Sequence, residues 1–315
     1  MSALRVVVLA GGTGGAKLAA GLQELVGGGL SVIANTGDDV EALGVHVSPD
    51  PDLCTYWLAG QIDAERGWGI AEDSFRVFER LVQLGAPDWF GLSDLDLATC
   101  LERRRRLDAG ERQSVIHADI TRALGVRASV LPMCDEPVRT RVRTPAGWRE
   151  FQEYLVHEGA QPAIEAIELS GIEHSAPTPE VREALAGADV ILIGPSNPVI
   201  SIGPIIGVPG MRDLLDRAPA AVVAVSPFVA GQVVKGPTGK FLRAVGFEES
   251  AVGVAAAYDG LIDALVIDAD DPGPAAAGIG GIETTRIPTL MNSPGRRVEV
   301  ASAVLDYAVG LSGRR

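Results

Sequence analysis

The sequence predicts an α/β protein with a Rossmann-like, doubly wound, mainly parallel sheet and a smaller, largely helical inserted or cap region. Short apolar runs rich in β-branched residues recur, as at residues 4–10 and 188–193, and are typical of strands buried on both faces. The first run leads into a GGTGG turn at 11–15, a helical pattern at 16–26 and a second apolar run at 30–34. This order predicts a βαβ unit.

The remaining elements follow from local periodicity. Phe75, Phe78, Leu81 and Val82 recur at helical spacing, for example, whereas the alternating Val/Arg pattern from Val138 predicts a strand with one wet face. Helices are predicted at 53–59, 71–84, 95–107, 111–124, 211–217, 250–258 and 302–311, and further strands at 128–133, 138–144, 163–169, 221–225 and 265–267. Residues 35–52 are predicted to form a loop. We therefore expect a nucleotide-binding domain at 1–60 and 160–315, and a helical or mixed insert at 61–159.

Composition excludes several functional classes. The 315 residues include 27 basic and 41 acidic side chains, a net charge of −14, which argues against non-specific nucleic-acid binding. Any anionic ligand must be held by a local site.

Cys54, Cys100 and Cys134 form no CxxC pair, so we expect free thiols and no zinc site or disulfide framework. No apolar run reaches the roughly 18 residues of a membrane span, and no signal-peptide pattern is present, so a cytoplasmic protein is predicted.

Three predicted strands end in segments suited to ligand binding: the GGTGG turn at 11–15, the GPSNP segment at 194–198, and Ser226-Pro227. In open parallel sheets ligands bind beyond the carboxyl ends of the strands, and a helix N-terminus offers free N–H groups to phosphate. Lys17 lies one turn into the helix and could pair with a phosphate. Because Lys17 replaces the third glycine of GxGxxG, a dinucleotide dehydrogenase is disfavoured, and the spacing does not fit a Walker A loop. A tight turn without a ligand is the alternative.

Acidic residues follow the second strand. Asp38 and Asp39 lie in an NTGDD segment at 35–39, and Asp50 and Asp52 in an SPDPD segment at 48–52. Carboxylates beside a phosphate loop are suited to Mg²⁺. The alternative is a solvated loop with Asx turns and a helix cap at Asp52.

Two charged segments further along have open interpretations. Asp94 and Asp96 are explained by helix capping, and Arg103 to Arg106 either complement the helix dipole or bind an anion. The four histidines are scattered, which excludes an HExxH zinc helix, and no GxSxG nucleophile elbow is present.

Taken together, the motifs resemble those of the 2-phospho-L-lactate transferases of deazaflavin coenzyme F420 biosynthesis. The segments that carry the resemblance lie at 11–18, 35–39, 48–52, 66–70, 94–99, 194–198, 201–205 and 235–240, and the likeness extends from Val6 to about Asp271. The resemblance implies a Rossmann-like fold with an added small domain, a homodimer, and a Mg²⁺-dependent transfer. The donor would be GDP-linked, its outer phosphate being part of the transferred three-carbon acid phosphate: phospholactate, phosphoenolpyruvate or phosphoglycerate. The acceptor would be the ribityl hydroxyl of 7,8-didemethyl-8-hydroxy-5-deazariboflavin (Fo), and GMP would be released.

The resemblance also implies roles for individual residues. Asp38 matches the metal-binding aspartate, and we expect Asp50 to share the metal. Asp50 or Asp52 would orient the attacking hydroxyl or accept its proton, so Asp38, Asp50 and Asp52 are the expected catalytic residues. Nucleotide or phosphate binding is expected of Gly11, Gly12, Thr13, Gly14, Gly15, Lys17, Gly194, Pro195, Ser196, Asn197, Pro198 and Lys235. Deazaflavin binding is expected of Asp52, Gly91 and Asp94, with the 61–159 insert contributing to this acceptor site.

The chain departs from the family pattern in one segment. Gly91 stands where some members have a lysine, Ser93 replaces a glycine, Leu95 an arginine, Cys100 a histidine and Arg104 a hydroxyl residue. These changes concern the acceptor side. The alternative function is that of a nucleotide-sugar-binding regulatory protein of related fold without transferase activity. Such a protein is expected to lack the Asp38-Asp39 and Ser48-Pro49-Asp50 sets, and this chain has both.

Overall fold

The computed structural model describes residues 4–272 and 278–312. The strands are β1 (Val6–Ala10), β2 (Leu30–Ala34), β3 (Val40–Ala42), β4 (Val45–Val47), β5 (Ser129–Pro132), β6 (Arg139–Thr144), β7 (Gly147–Glu150), β8 (Ala166–Ser170), β9 (Val190–Ile193), β10 (Val222–Val225), β11 (Phe228–Val229), β12 (Gln232–Val233), β13 (Ala264–Asp268) and β14 (Glu283–Ile287). The helices are α1 (Gly12–Val26), α2 (Pro49–Leu58), α3 (Arg76–Gln83), α4 (Asp94–Asp108), α5 (Gln113–Ala123), α6 (Pro179–Ala186), α7 (Gly203–Gly207), α8 (Met211–Asp216), α9 (Thr238–Ala244), α10 (Ala251–Ala257) and α11 (Pro294–Ser312).

Within the described residues, seven strands form a central parallel sheet in the order β14-β13-β10-β9-β1-β2-β5. Alternate residues of β1 belong to the two core layers: Val7 and Leu9 pack on one face, and Val6 and Val8 on the other. This confirms the predicted α/β class. Strand order reverses between β1 and β9, and at such a switch point the loops diverge and leave a crevice. The ends of β1, β2 and β9 therefore position the site.

The predicted segment boundaries do not coincide with the sheets. Strand β5 lies in the 61–159 segment but extends the central sheet beside β2. Strand β8 follows residue 160 but pairs with β6 in a three-stranded antiparallel sheet, β7-β6-β8. Strand pairing depends on contacts far apart in sequence, and the apolar pattern of a run does not reveal which sheet it will join.

Several predicted elements differ from the structure in their ends. The segment 35–52, predicted as a loop, contains the β3–β4 hairpin and the first turn of α2, which begins at Pro49. Proline is favoured in the first helical turn because its missing N–H is not needed there. Helix α3 is shorter than predicted, and α11 begins eight residues before the predicted Ser302. No helix within the described residues is both long and apolar enough to cross a bilayer.

The glycine turn and the GPSNP segment are in direct contact. A Cβ atom on Gly14 would lie 2.0 Å from the carbonyl oxygen of Pro195, and one on Gly194 would lie 2.8 Å from the Cα of Gly15. Real Cβ atoms do not approach backbone so closely, so these positions require glycine. The glycines therefore bring two strand-end loops together.

This contact predicts a position-specific effect of adding one methyl group. Gly14→Ala should destabilise the fold by about 1–3 kcal/mol because the α1 backbone must move away from Pro195. Gly295 has no heavy atom within 4 Å of a built Cβ, and Gly295→Ala is the matched control, neutral or stabilising by up to about 1 kcal/mol. Thermal unfolding measures both, and equal melting temperatures for the two variants would contradict the predicted contact.

Candidate active site

A cavity of about 930 Å³ opens at the carboxyl ends of the central strands. Its size is at the upper end of the range for small-molecule sites. Of the residues predicted to bind nucleotide or phosphate, those lining the cavity are Gly11, Gly12, Thr13, Gly14, Lys17, Pro195, Ser196, Asn197 and Lys235. Gly15, Gly194 and Pro198 are not among the lining residues; Gly15 and Gly194 instead allow the loops to touch.

Asp50 and Asn35 join three strand ends. The two carboxylate oxygens of Asp50 accept hydrogen bonds from the Gly12 N–H at 2.6 Å and from the Asn35 side-chain amide at 3.0 Å. The same Asn35 amide nitrogen donates to the Ile200 carbonyl at 3.3 Å, and the Asn35 Oδ1 accepts from the Gly37 N–H at 2.7 Å. The start of α1, the end of β2 and the loop after β9 are therefore held together around one buried carboxylate.

Asp38 lies beside Asp50 and lines the same cavity. Its Oδ1 atom is buried and has no hydrogen-bond partner within the part of the chain that the structure describes. Burial, and then the nearby Asp50 carboxylate, hold the pKa of Asp38 well above its usual range. Burial also raises the pKa of Asp50 to about 6. The ion pairs formed among residues 4–272 and 278–312 include neither carboxylate, so the pair fits a bound cation with oxygen ligands.

The adjacent Asp39 is instead a structural residue. Its carboxylate accepts hydrogen bonds from His46 at 3.0 Å, from the Ser48 hydroxyl at 2.8 Å and from the Gln113 amide at 2.8 Å. These bonds connect the β3–β4 hairpin to the beginnings of α2 and α5. Of these two neighbouring aspartates, Asp38 thus faces the cavity, whereas the carboxylate of Asp39 is hydrogen-bonded to side chains of the protein.

Asp52 is held by a buried arginine. Arg103, fully buried on α4, forms an ion pair with Asp52 and also donates to the His46 carbonyl at 3.2 Å. Asp52 lines the cavity, and its Oδ2 has no hydrogen-bond partner among the described residues. The sequence patterns did not distinguish Arg103 from its neighbours. Arg104, Arg105 and Arg106 form ion pairs with nearby carboxylates on the outside of α4.

Asp52 also belongs to a second cluster of possible metal ligands. One potential ligand atom each from Asp52, Asp96 and Cys100 lies within 4.8 Å of the others. Asp96 accepts a hydrogen bond from the Tyr56 hydroxyl at 2.8 Å, and burial followed by the Asp52 charge raises its pKa to about 6. Burial raises the pKa of the Cys100 thiol, which keeps it protonated. Since Arg103 already supplies a positive charge here, this group fits Mg²⁺ less well than Asp38 and Asp50 do.

The residues predicted to bind the deazaflavin do not all lie in the cavity. Asp52 and Gly91 line the cavity, whereas Asp94 does not. The Asp94 carboxylate accepts hydrogen bonds from the Ser74 hydroxyl and, at 3.0 Å, from the Val77 N–H, so it connects the start of α4 to the start of α3. The cavity is also lined by residues for which the sequence analysis predicted no binding role: Tyr56, Trp68, Trp89, Phe90 and Asp96. Asp96 lies two residues after Asp94 on the same helix, and only the fold shows which of the two faces the cavity.

The buried acid pair predicts a pH-dependent stability without metal. A carboxyl group with a raised pKa in the folded state contributes stability that is full below its unfolded pKa and is lost as pH rises through its folded pKa. That window runs from about pH 4 to pH 6 for Asp50, and the raised pKa of Asp38 acts in the same direction. In EDTA, Asp38→Asn should therefore match the wild type near pH 4 and be more stable by at least about 1 kcal/mol at pH 8.

Thermal unfolding across this pH range measures the difference. The exposed Asp259, which lies outside the cavity lining, gives the control Asp259→Asn, for which no such divergence is expected. A pH-independent difference between Asp38→Asn and the wild type would contradict the account of two uncompensated buried charges.

The fold of this chain is similar to that of a protein of known structure. The chain is similar to protein BH3568 from Bacillus halodurans, with a TM-score of 0.63 over 96% of this chain and 99% of that chain, at 18% sequence identity. A second structure of BH3568, described as a member of the UPF0052 family, gives a TM-score of 0.61. At this identity the likeness shows the fold alone.

Sequence comparisons are more specific. Residues 6–278 match the family described as 2-phospho-L-lactate transferase CofD. The chain is 43% identical to the phosphoenolpyruvate transferase of Kitasatospora aureofaciens over 97% of this chain and 98% of the relative. It is 37% identical to the 2-phospho-L-lactate transferase of Methanosarcina mazei over 96% of this chain and 99% of the relative. The chain belongs to the 2-phospho-L-lactate transferase family.

Proposed function

We propose that this protein transfers a three-carbon acid phosphate from a GDP-linked donor to the ribityl hydroxyl of Fo and releases GMP. Membership of the family and the names of its relatives support a transferase of this kind in F420 biosynthesis. The observation that carries the proposal is the position of the Asp38–Asp50 pair beside the glycine turn, in a cavity that Asp52 also lines. Both carboxylates are buried and have no counter-charge among the described residues.

The glycine turn and the GPSNP segment would hold the diphosphate. The start of α1 offers N–H groups and the positive end of the helix dipole. The Asn197 Oδ1 accepts from the Val199 and Ile200 N–H groups at 2.9 and 3.3 Å, which fixes the side chain. Its Nδ2 is buried and has no acceptor among the described residues, so it is available to a phosphate oxygen. Lys17 and Lys235 also line this part of the cavity and would neutralise phosphate charge.

Asp38, with Asp50, would hold Mg²⁺. The free oxygen of Asp38 and the oxygens of Asp50 are ligands of the type that Mg²⁺ prefers, and Mg²⁺ commonly binds one or two carboxylates together with substrate phosphates. When bound, the ion would neutralise charge on the diphosphate. The protein's own contribution is to hold the Asp50 carboxylate in place, next to Asp38, through Gly12 and Asn35.

Asp52 would act on the acceptor. Its free Oδ2 is available to the ribityl hydroxyl, while Arg103 holds the other oxygen. The hydroxyl oxygen would form a bond to the phosphorus that carries the three-carbon acid. The bond from that phosphorus to the oxygen bridging it to GMP would break, and the hydroxyl proton would pass to Asp52. Burial raises the pKa of Asp52, against the opposing effect of Arg103, and a raised pKa makes a carboxylate a better proton acceptor.

Aromatic side chains would bind the deazaflavin rings. Trp68, Trp89 and Phe90 line the cavity on the side of the 61–159 segment, next to Gly91. Planar aromatic ligands pack well against such rings in offset or edge-to-face geometry. Because Gly91 has no side chain, the ring contact would come from these neighbours.

Product analysis tests the proposal. The purified protein is incubated with Fo, Mg²⁺ and, separately, each of three diphosphate donors in which GMP is joined through a P–O–P bridge to phospholactate, phosphoenolpyruvate or phosphoglycerate, and products are identified by mass spectrometry. We expect a phosphodiester of Fo together with GMP from at least one donor, and no product in EDTA. Asp38→Ala should lower turnover at least about 100-fold while the protein stays folded. Absence of product with all three donors would contradict the proposal, and near-normal turnover of the variant would contradict the metal role.

Because Asp52 lines the cavity and Asp94 does not, substitutions at the two positions should change kcat to different extents. Asp52→Asn should lower kcat at least about 100-fold and leave GDP affinity unchanged, because it removes the proton acceptor and not a donor contact. Asp94→Asn is the matched control on the acidic start of α4 and should retain kcat within about 3-fold, since its contacts are with Ser74 and Val77. Steady-state assays with varied Fo measure both variants; equal losses of kcat would show that Asp52 has no special role.

A further inference from the structure

Three cations near the donor end of the cavity have no carboxylate partner in the part of the chain that the structure describes. Lys17 and Lys235 line the cavity, and Arg297 of α11 lies close to Lys17. None of the three takes part in the ion pairs formed among residues 4–272 and 278–312, although the chain carries 41 acidic side chains and most arginines are paired. Such an unbalanced group of positive charges in an acidic protein attracts anions.

Trp57 brings two of these charges together. The Lys17 Nζ lies 5.5 Å from the centre of the Trp57 ring, and the Arg297 guanidinium carbon lies 4.9 Å from the same centre. Trp57 is itself buried on α2. Cation–π contacts stabilise each charge separately but do not remove the repulsion between two like charges at one ring. A polyanion would remove it.

A glycine on α1 permits this arrangement. A Cβ atom on Gly21 would lie 2.3 Å from the Arg297 carbonyl oxygen, so only glycine lets the backbone of α11 approach α1 this closely. Gly21 follows Lys17 by four residues and therefore lies on the same face of α1, one turn further along. The fold thus brings the first turns of α11 against the helix that carries Lys17.

We infer that Arg297 is a positioning residue of a polyphosphate site, in which Lys17 and Lys235 bind the diphosphate of the donor and Arg297 supports them from behind Trp57. Arg297 is not among the residues that line the cavity, so it acts through its charge and through Trp57 and Lys17. The inference depends on the proposed function only for the guanosine part of the ligand. The cation group itself requires only adjacent phosphates.

Binding of inorganic pyrophosphate, GMP and GDP, measured by titration calorimetry without metal, tests this role. Arg297→Gln should weaken pyrophosphate and GDP binding at least 10-fold and GMP binding less, and Arg297→Lys should recover most of the loss. Arg296→Gln is the matched control: it removes the same charge one residue away, where the side chain pairs with Glu299. We expect Arg296→Gln to stay within twofold of the wild type, and both glutamine variants to keep the wild-type melting temperature.

Two results would overturn the inference: pyrophosphate and GDP binding that do not change in Arg297→Gln, or a loss in Arg296→Gln as large as in Arg297→Gln. The first result, with GDP still bound by the wild type, would leave the proposed function standing. If the wild type binds pyrophosphate in an Arg297-dependent manner but does not bind GDP, the cation site is supported and the donor proposed above is wrong.

Discussion

The hydrogen bonds between Asp50, Asn35 and Gly12 hold the site together. Parallel strands bring their carboxyl ends to one edge, but loops leaving at a switch point diverge, and something must fix their relative positions. Here one carboxylate accepts from the start of α1 and from Asn35 at the end of β2, and Asn35 in turn donates to the loop after β9. The glycines at 14, 15 and 194 make this arrangement possible, since larger residues would separate the loops.

Four buried aspartates of this region fall into two groups: two are compensated by side chains that the structure describes and two are not. Asp39 is satisfied by His46, Ser48 and Gln113, and Asp52 by Arg103. Asp38 and Asp50 have no such counter-charge among the described residues. Burying unpaired charges costs free energy that a folded protein retains only where a ligand or a function offsets it. A divalent cation would compensate the acid pair, and a polyphosphate the nearby cations, so each ligand would favour binding of the other.

The sequence predicted the parallel sheet, the loops at 11–15 and 194–198 and the cavity-facing Asp38, Asp50 and Asp52, because apolar strand runs and glycine turns are local signals. It did not predict that β5 joins the central sheet, which depends on long-range pairing. Arg103 could not be separated from Arg104, Arg105 and Arg106, since burial of one member of a run is decided by tertiary packing. The polar strand β14 and the short helix α7 also escaped notice, having too little apolar pattern to be recognised.

Asp94 and Asp96 illustrate the same limit within the site. Both are acidic residues in the first turn of α4, yet Asp96 lines the cavity while the Asp94 carboxylate connects to Ser74 and Val77. Sequence alone places the pair at a helix start, and helical rotation decides which one faces the ligand.

A crystal structure of the protein with GDP and Mn²⁺, the latter chosen for its anomalous signal in place of Mg²⁺, tests the central claim most directly. The account predicts an anomalous peak coordinated by the Asp38 carboxylate, with the diphosphate lying between the glycine turn and Asn197. A metal peak at Asp52 and Asp96 with none at Asp38, or a diphosphate bound away from both loops, would contradict it.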